Sequence, residues 1–237
     1  DWSDEGIVLS ARKHGESAAI VTLMTRGHGR HAGLVRGGAG RRQRGVYQTG
    51  NHVSATWRAR LEEHLGSYSC EMMRAFAAEV MFDKLPLAAL SSAASLLDMT
   101  LPEREPHEDV FDDFSNLLDA LLMQGWESTY VRWELELLAA LGFGLDLGSC
   151  AVTGVTEQLT HVSPRSGRAV SLEAGAAYRD RLLGLPEFLR VDSTNEPPAQ
   201  ADIVAGLALT GHFLERFVFA PENREIPAAR TRLVDGI

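Results

Sequence analysis

The chain has 237 residues, an apolar fraction of 45% and a formal net charge of -9. This length allows one large domain or two modest ones, and the overall acidity argues against a polyanion as partner of the whole surface. Two cysteines are too few for a disulfide framework. The low cysteine count, the acidic N-terminus and apolar runs shorter than a membrane span together predict a soluble cytoplasmic protein.

Short strands separated by glycine turns are predicted in the first part of the chain. They cover residues 6–10, 18–25, 29–36, 52–60 and 66–71. Five short strands at this spacing favour a small closed barrel, of the size of an oligonucleotide-binding (OB) barrel. We therefore predict a first domain over residues 1–76.

Helical periodicity replaces the strand pattern in the second part, residues 77–237. Apolar stripes run through Leu87–Leu97, Val110–Leu122 and Trp133–Leu141, and helices return near 172–183, 199–219 and 228. Residues 145–170 lose this period and predict a small glycine-punctuated hairpin. The predicted fold class is α+β, a five-stranded OB barrel followed by a helical domain with a hairpin insertion.

The basic residues are concentrated in the predicted barrel. Between Arg12 and Arg60 there are ten basic residues and one acid, Glu16, whereas the rest of the chain has 13 basic and 31 acidic residues. These counts give +9 against -18. Such asymmetry is typical of proteins that contact nucleic acid or membranes through the basic part.

The loop at residues 37–45, GGAGRRQRG, carries the most specific signal. Four glycines keep its backbone flexible and let N–H groups approach an anion, while arginine forks suit phosphate oxygens. Two nearby aromatic residues offer faces for base stacking. The candidate DNA-binding residues are Lys13, Arg30, Arg36, Arg41, Arg42, Arg44, Tyr47, Trp57, Arg58 and Arg60. The alternative is a solvated basic loop without a partner; a Walker loop is excluded because Gly-Lys-Ser/Thr is absent.

Catalytic and metal-binding patterns are missing from the sequence. There is no His-Glu-x-x-His and no Gly-x-Ser-x-Gly, and Cys150 lacks a second cysteine three residues later. The carboxylates near residue 108 decorate a helix start. We expect no enzyme activity, no cofactor and no metal. Arg132 and Trp133 are candidates for a partner-binding groove, although a core role is the simpler explanation of the aromatic stripe.

Several segments resemble the bacterial recombination-mediator family RecO over nearly the whole chain. The opening run GIVLSARKHGESAAIVTLMTRGHGRHAGLVRGG is similar to that family's first strands and basic loop. LPEREPHEDVFDDFSNLLDALL and VRWELELLAALGFGLDLGSCAVTG are similar to its helical regions, and VSPRSGRAVS to the segment after its cysteine region.

The resemblance implies an OB domain, a helical domain and a role in DNA repair and homologous recombination. It implies binding to single- and double-stranded DNA, annealing of complementary strands and loading of RecA onto gaps coated by single-stranded-DNA-binding protein. The implied partners are RecR, in some members RecF, and the acidic tail of the single-stranded-DNA-binding protein. Many members carry a four-cysteine zinc site, of which this chain keeps Cys150, with Thr153, Ser163 and Ser166 in later positions.

Two other functions compete with this hypothesis. A protein adaptor would use the barrel to bind an acidic partner rather than DNA. A nuclease would need a carboxylate cluster beside the basic surface, and Glu16 alone does not supply it.

Overall fold

The computed structural model describes residues 1–41, 43–191, 193 and 196–237. These residues form two compact units. One contains Asp1–Met123 and Pro227–Gly236, and the other contains Gln124–Ile226 and Ile237.

A closed five-stranded barrel forms the start of the first unit. Its strands are β1 (Trp2–His14), β2 (Ala18–Thr25), β3 (Gly29–Val35), β4 (His52–Arg58) and β5 (Ser67–Arg74). They are joined in the order β1-β2-β3-β5-β4, and the antiparallel β1–β4 pair closes the circle. The predicted OB-type barrel is therefore confirmed.

The barrel interior requires a glycine on β3. Apolar side chains from all five strands, Val8, Leu23, Val35, Ala55 and Tyr68 among them, fill the core. A Cβ atom at Gly33 would lie 2.4 Å from the Tyr68 ring, so no larger residue fits while that ring keeps its place.

Helices cover one outer face of the barrel. The first unit contains α1 (Phe76–Val80), α2 (Lys84–Thr100), α3 (Glu108–Ala120) and α7 (Ala228–Gly236). α2 packs against β1 and against α7. Because strand side chains alternate between the two faces, Ile7 and Leu9 point away from the core residue Val8, and they are buried nonetheless.

The second unit combines helices with a three-stranded sheet. It contains α4 (Trp126–Ala140), β6 (Leu159–Val162), β7 (Ala169–Ser171), α5 (Leu172–Gly175), β8 (Leu183–Gly184) and α6 (Gln200–Phe213). The sheet order is β7-β6-β8, and α6 continues into a π-helical segment, Leu214–Phe219. The helix predicted at 172–183 is shorter, because 3₁₀ geometry replaces α-helix from Ala176.

The excursion at 145–170 contains the predicted hairpin, formed by β6 and β7. Cys150 is buried beside it, and the Ser171 N–H donates to its Sγ at 3.3 Å. Burial raises the pKa of the Cys150 thiol, but hydrogen bonds with Thr153 and Ser171 outweigh this and bring the pKa to about 6.

The donor set around this hairpin does not fit zinc. Structural zinc takes thiolate and imidazole ligands, whereas Thr153, Ser163 and Ser166 offer hydroxyls. The Ser163 hydroxyl instead accepts a hydrogen bond from the Ser166 N–H at 3.4 Å. Within the described ranges, no group of three His, Cys, Asp or Glu residues could hold a metal ion.

One helical stretch, Gln200–Glu222, is long and apolar enough to cross a membrane by length and composition. Half of its apolar window is buried inside the protein, as in the core helix of a globular unit. The sequence pattern predicts a helix near 199–219 but takes the apolar runs of the chain as too short for a membrane span.

The domain boundary expected between residues 76 and 77 stays a prediction. The compact unit that holds the barrel continues through α3 to Met123, so packing does not separate the barrel from its first helices.

We predict that Gly33→Ala destabilises the barrel by about 1–3 kcal/mol, because the added methyl must displace the Tyr68 ring. Urea denaturation of both proteins measures the change. Gly45→Ala is the control, since a Cβ there meets nothing within 4 Å. Equal stability of Gly33→Ala and wild type would show that the interior is not packed as described.

Candidate nucleic-acid interface

Some of the arginines in the basic segment form ion pairs with carboxylates of the helices. Arg26, after β2, makes a two-pronged contact with Asp112 of α3, with N–O distances of 2.6 and 3.1 Å. Its guanidinium also lies over the Phe111 ring. Arg26 therefore attaches α3 to the barrel and is not free to contact a ligand.

Asp98 of α2 joins two strands of the barrel. It accepts a hydrogen bond from Ser10 at 2.9 Å on β1, and lies 3.6 Å from Arg12 on the same strand. Its other oxygen lies 3.4 Å from Arg30 on β3. We call Asp98 with Ser10, Arg12 and Arg30 the Asp98 clamp.

Arg30 is mostly buried in this clamp, with 17% of its side chain exposed. Its Nε also donates to the Leu101 carbonyl at 2.8 Å, and Glu103 lies 3.5 Å away. Its charge is compensated by residues at and after the end of α2, and contact of Arg30 with DNA stays a prediction.

Arg58 and Arg60 lie at the far end of β4, beside the N-terminal end of β1. Arg58 is exposed and lies 3.9 Å from Asp1. Arg60 is exposed and has no ion pair among the described residues. These two cations are separated along the barrel from the arginine-rich loop.

The remaining candidates gather where β1 ends, β2 begins and β3 ends. Lys13, Arg36, Arg41 and Arg44 are all exposed, and none has an ion pair or side-chain hydrogen bond in the part of the chain that the structure describes. Arg42, also predicted here, lies outside the described residues. This end of the barrel, which we call the barrel mouth, carries a cluster of four unpaired cations.

The arginine-rich loop is anchored at the mouth by backbone hydrogen bonds. The Ala39 N–H donates to Ser17 in the β1–β2 turn at 3.0 Å, and the Gly50 N–H donates to Val8 at 2.8 Å. The Asn51 side chain donates to the carbonyls of Gly45 and Val46. The loop therefore has a defined path along β1.

Many N–H groups of the loop donate hydrogen bonds to carbonyls within the loop itself. Gly40 donates to Gly37, and both Gln43 and Arg44 donate to Gly40. The N–H groups of Gly38 and Gly40 are therefore already used within the protein. Arginine and lysine side chains are left as the anion-binding groups.

A cavity of about 570 Å³ opens at the mouth. Small side chains line it, including Ala11, Ala19 and Ala39, together with the Tyr47 ring. The charged groups at its wall are Lys13, Arg44 and Glu16. The cavity size lies within the range of about 300–1,000 Å³ common for ligand sites.

The two predicted stacking residues are core residues. Tyr47 and Trp57 are 5% and 3% exposed, and the Trp57 indole donates to the Leu65 carbonyl at 3.0 Å. Both rings lie in the barrel core rather than on an open surface, and their contact with DNA stays a prediction. Tyr47 is nevertheless among the residues that line the mouth cavity.

An aromatic cluster lies at the opposite end of the barrel. Trp2 stacks on His28 at 4.0 Å between ring centres and contacts Trp57 at 5.8 Å. His31 is buried there and pairs with the Tyr68 hydroxyl at 2.9 Å. Burial lowers the pKa of His31 to about 4, with help from the nearby charge of Arg104, so this end carries a neutral imidazole at pH 7.

The two partner-binding candidates of the second unit differ in position. Arg132 is exposed; it donates to the Phe188 carbonyl, and its guanidinium lies 5.5 Å from the centre of the Phe188 ring. Trp133 is buried beside Tyr130. Trp133 is therefore a core residue, as the simpler interpretation of the stripe had it.

Two family profiles match the chain. The one described as "Recombination protein O N terminal" matches residues 1–76, and "Recombination protein O C terminal" matches residues 81–224. The chain belongs to the RecO family. The expected resemblance is confirmed over both matched regions.

Named relatives extend the similarity along the full chain. The chain is 58% identical to "DNA repair protein RecO" of Rhodospirillum centenum over 237 residues, covering 99% of this chain and 94% of the relative. It is 53% identical to the protein of that name from Rhodospirillum rubrum, covering 100% and 96%. The Nitrobacter hamburgensis protein is 48% identical, with 100% and 94% covered.

Sequence reasoning missed the neutral lining of the mouth. Ala11, Gln48 and Thr49 carry no charge and lie outside the basic loop, so nothing in the sequence sets them apart. Strand alternation predicts that Ala19 faces inward, but the side of the loop that faces β1 follows from the fold alone.

We predict that Asp98→Asn lowers the free energy of unfolding by about 2–3 kcal/mol, because it leaves the mostly buried Arg30 charge with weaker compensation. Asp112→Asn is the matched control. Its pair with Arg26 is about half exposed, so its loss costs at most about 1 kcal/mol. Urea denaturation compares them, and equal losses would contradict the special role of the clamp.

Proposed function

We propose that this protein is a non-enzymatic DNA-binding mediator of DNA repair and homologous recombination, and that it holds DNA at the barrel mouth. The supporting observation is the partition of the basic residues. Arg26 and Arg30 are paired with helix carboxylates, whereas Lys13, Arg36, Arg41 and Arg44 have no carboxylate partner among the described residues. Unpaired cations on one surface attract a polyanion without regard to sequence.

Binding in this proposal proceeds by phosphate neutralisation. Each cation that contacts a phosphate releases condensed counterions, so affinity falls steeply as salt rises. Contacts with phosphates position the DNA backbone and do not distinguish one base from another. The protein therefore accepts single- and double-stranded DNA of any sequence, as a repair factor must.

Annealing of complementary strands follows from the same charges. Two strands repel each other through their phosphates, and cations at the mouth lower this repulsion when both strands lie nearby. The step forms base pairs and no covalent bond, so it needs no nucleotide cofactor and no catalytic group.

The proposed protein partners are those of the family. They are RecR, in some members RecF, and the acidic tail of the single-stranded-DNA-binding protein, through which the protein would help load RecA on coated gaps. Exposed Arg132 remains a candidate for contact with the acidic tail, although its packing on Phe188 restrains its side chain. Such contacts belong in the cytoplasm, at the nucleoid.

The main alternative is an adaptor whose barrel binds an acidic protein. The same cations would serve it, since a row of carboxylates also attracts arginine. The cavity between the cations favours DNA, because a chain of carboxylates has no flat apolar group to place there.

We predict that a triple variant, Lys13→Gln with Arg36→Gln and Arg44→Gln, binds a labelled single-stranded oligonucleotide more weakly and with less salt dependence. Fluorescence anisotropy at several salt concentrations gives the slope of log affinity against log salt. Loss of three phosphate contacts should flatten this slope by about 2, at about 0.7 per contact.

The matched control removes three exposed cations of the second unit, Arg165, Arg179 and Arg181, by the same change to Gln. It alters net charge equally, so its slope should stay near that of wild type. Equal flattening in both variants would mean that net charge alone drives binding. Salt-insensitive or undetectable wild-type binding at low salt would reject DNA as the ligand and favour the adaptor.

A further inference from the structure

The barrel mouth offers more than charge, because its cavity combines three kinds of surface. Ala11, Ala19 and Ala39 contribute small apolar walls, and Tyr47, which is 5% exposed, contributes only a small part of the lining. Gln48 is exposed, and its side-chain amide has no hydrogen bond to any other described residue. A site that only attracted phosphate would need none of these neutral groups.

The cavity is held open by the structure around it. The loop on its far side is tied to the β1–β2 turn through Ala39 and Ser17, and to β1 through Gly50 and Val8. The Thr49 hydroxyl adds a bond to the Leu9 carbonyl at 3.2 Å. Since both walls are fixed to the barrel, a ligand enters a preformed space.

The chemistry of the lining matches one nucleotide. A nucleobase has apolar faces that pack against alanine methyl groups, and polar edges that bond to an amide such as Gln48 or a carboxylate such as Glu16. The phosphates attached to it would lie beside Lys13 and Arg44 at the same wall. Burial raises the pKa of Tyr47, so its ring stays neutral at pH 7.

The surface on which OB barrels usually bind oligonucleotides is covered in this protein on the side that faces the helices. Such barrels bind oligonucleotides across the outer face of strands two and three. Here Met24 is buried on that face of β2, and Arg30 of β3 is held by Asp98 and Leu101 of the α2 end. A strand lying there would have to displace these contacts.

On the basis of the proposed DNA-binding function, we infer that the barrel mouth is a nucleobase subsite, in which one unpaired base enters the cavity between Ala11, Ala39 and Tyr47. A duplex base is paired and stacked, and extruding it costs a few kcal/mol. The subsite therefore selects single strands and strand ends, whereas the cations around it bind any DNA.

The test compares probes of equal charge. One probe is an oligo-thymidine strand, and the second has the same length with abasic sugars throughout its centre. Wild-type protein should bind the first about tenfold more tightly, the order expected for one engaged base. A duplex of the same length serves as the third probe.

Two variants fill the cavity without removing a charge, Ala11→Phe and Ala39→Phe. Both should reduce the preference for thymidine over abasic strand to near unity, while affinity for the abasic strand and the duplex, and the salt slope, stay as in wild type. Ser54→Phe is the control, because Ser54 is exposed on β4 outside the mouth lining. It should keep the preference.

The outcomes separate the two hypotheses. If wild type binds thymidine and abasic strands equally, or if both Phe variants keep the preference, the subsite is rejected while salt-dependent DNA binding still stands. Absence of salt-dependent binding to all three probes rejects the proposed function itself, and the subsite with it. Thermal unfolding of each variant shows that the comparison is made between folded proteins.

Discussion

The contact between Asp98 and the barrel determines which surfaces of this protein remain open. One carboxylate near the end of α2 reaches Ser10 and Arg12 on β1 and Arg30 on β3. With 13% of its side chain exposed, Asp98 interacts in a medium that screens charge less than water does. It fixes α2 over one face of the barrel and compensates Arg30 there.

The distribution of unpaired charge follows from this arrangement. Carboxylates of α2 and α3 compensate the arginines on the helix side, so the unpaired cations described here are left mainly at the mouth, next to a cavity with apolar walls. A protein with a net charge of -9 can in this way carry a local surface that attracts a polyanion. In the proposed function, the acidic remainder would repel DNA and favour its placement at the mouth.

The barrel could be predicted from sequence because its signals are local. Glycine turns and apolar alternation place β2 at Ala18–Thr25, with the bounds that the structure shows. The roles of individual cations could not be predicted from sequence, because their partners lie far away along the chain. Arg26 and Asp112 are 86 positions apart, and Arg30 and Asp98 are 68 positions apart. Burial of Trp57 likewise depends on distant strands, whereas composition alone suggests an aromatic residue for stacking.

Site-specific photo-crosslinking to a labelled single strand tests most directly whether DNA lies at the mouth. A photoreactive side chain would replace Ala39 at the mouth in one protein and Ala32 on the outer face of β3 in another. DNA bound at the mouth should crosslink efficiently from position 39 and little from position 32. Dominant crosslinking from position 32 would contradict binding at the mouth. DNA would then lie across the outer face of β2 and β3, where Asp98 holds Arg30.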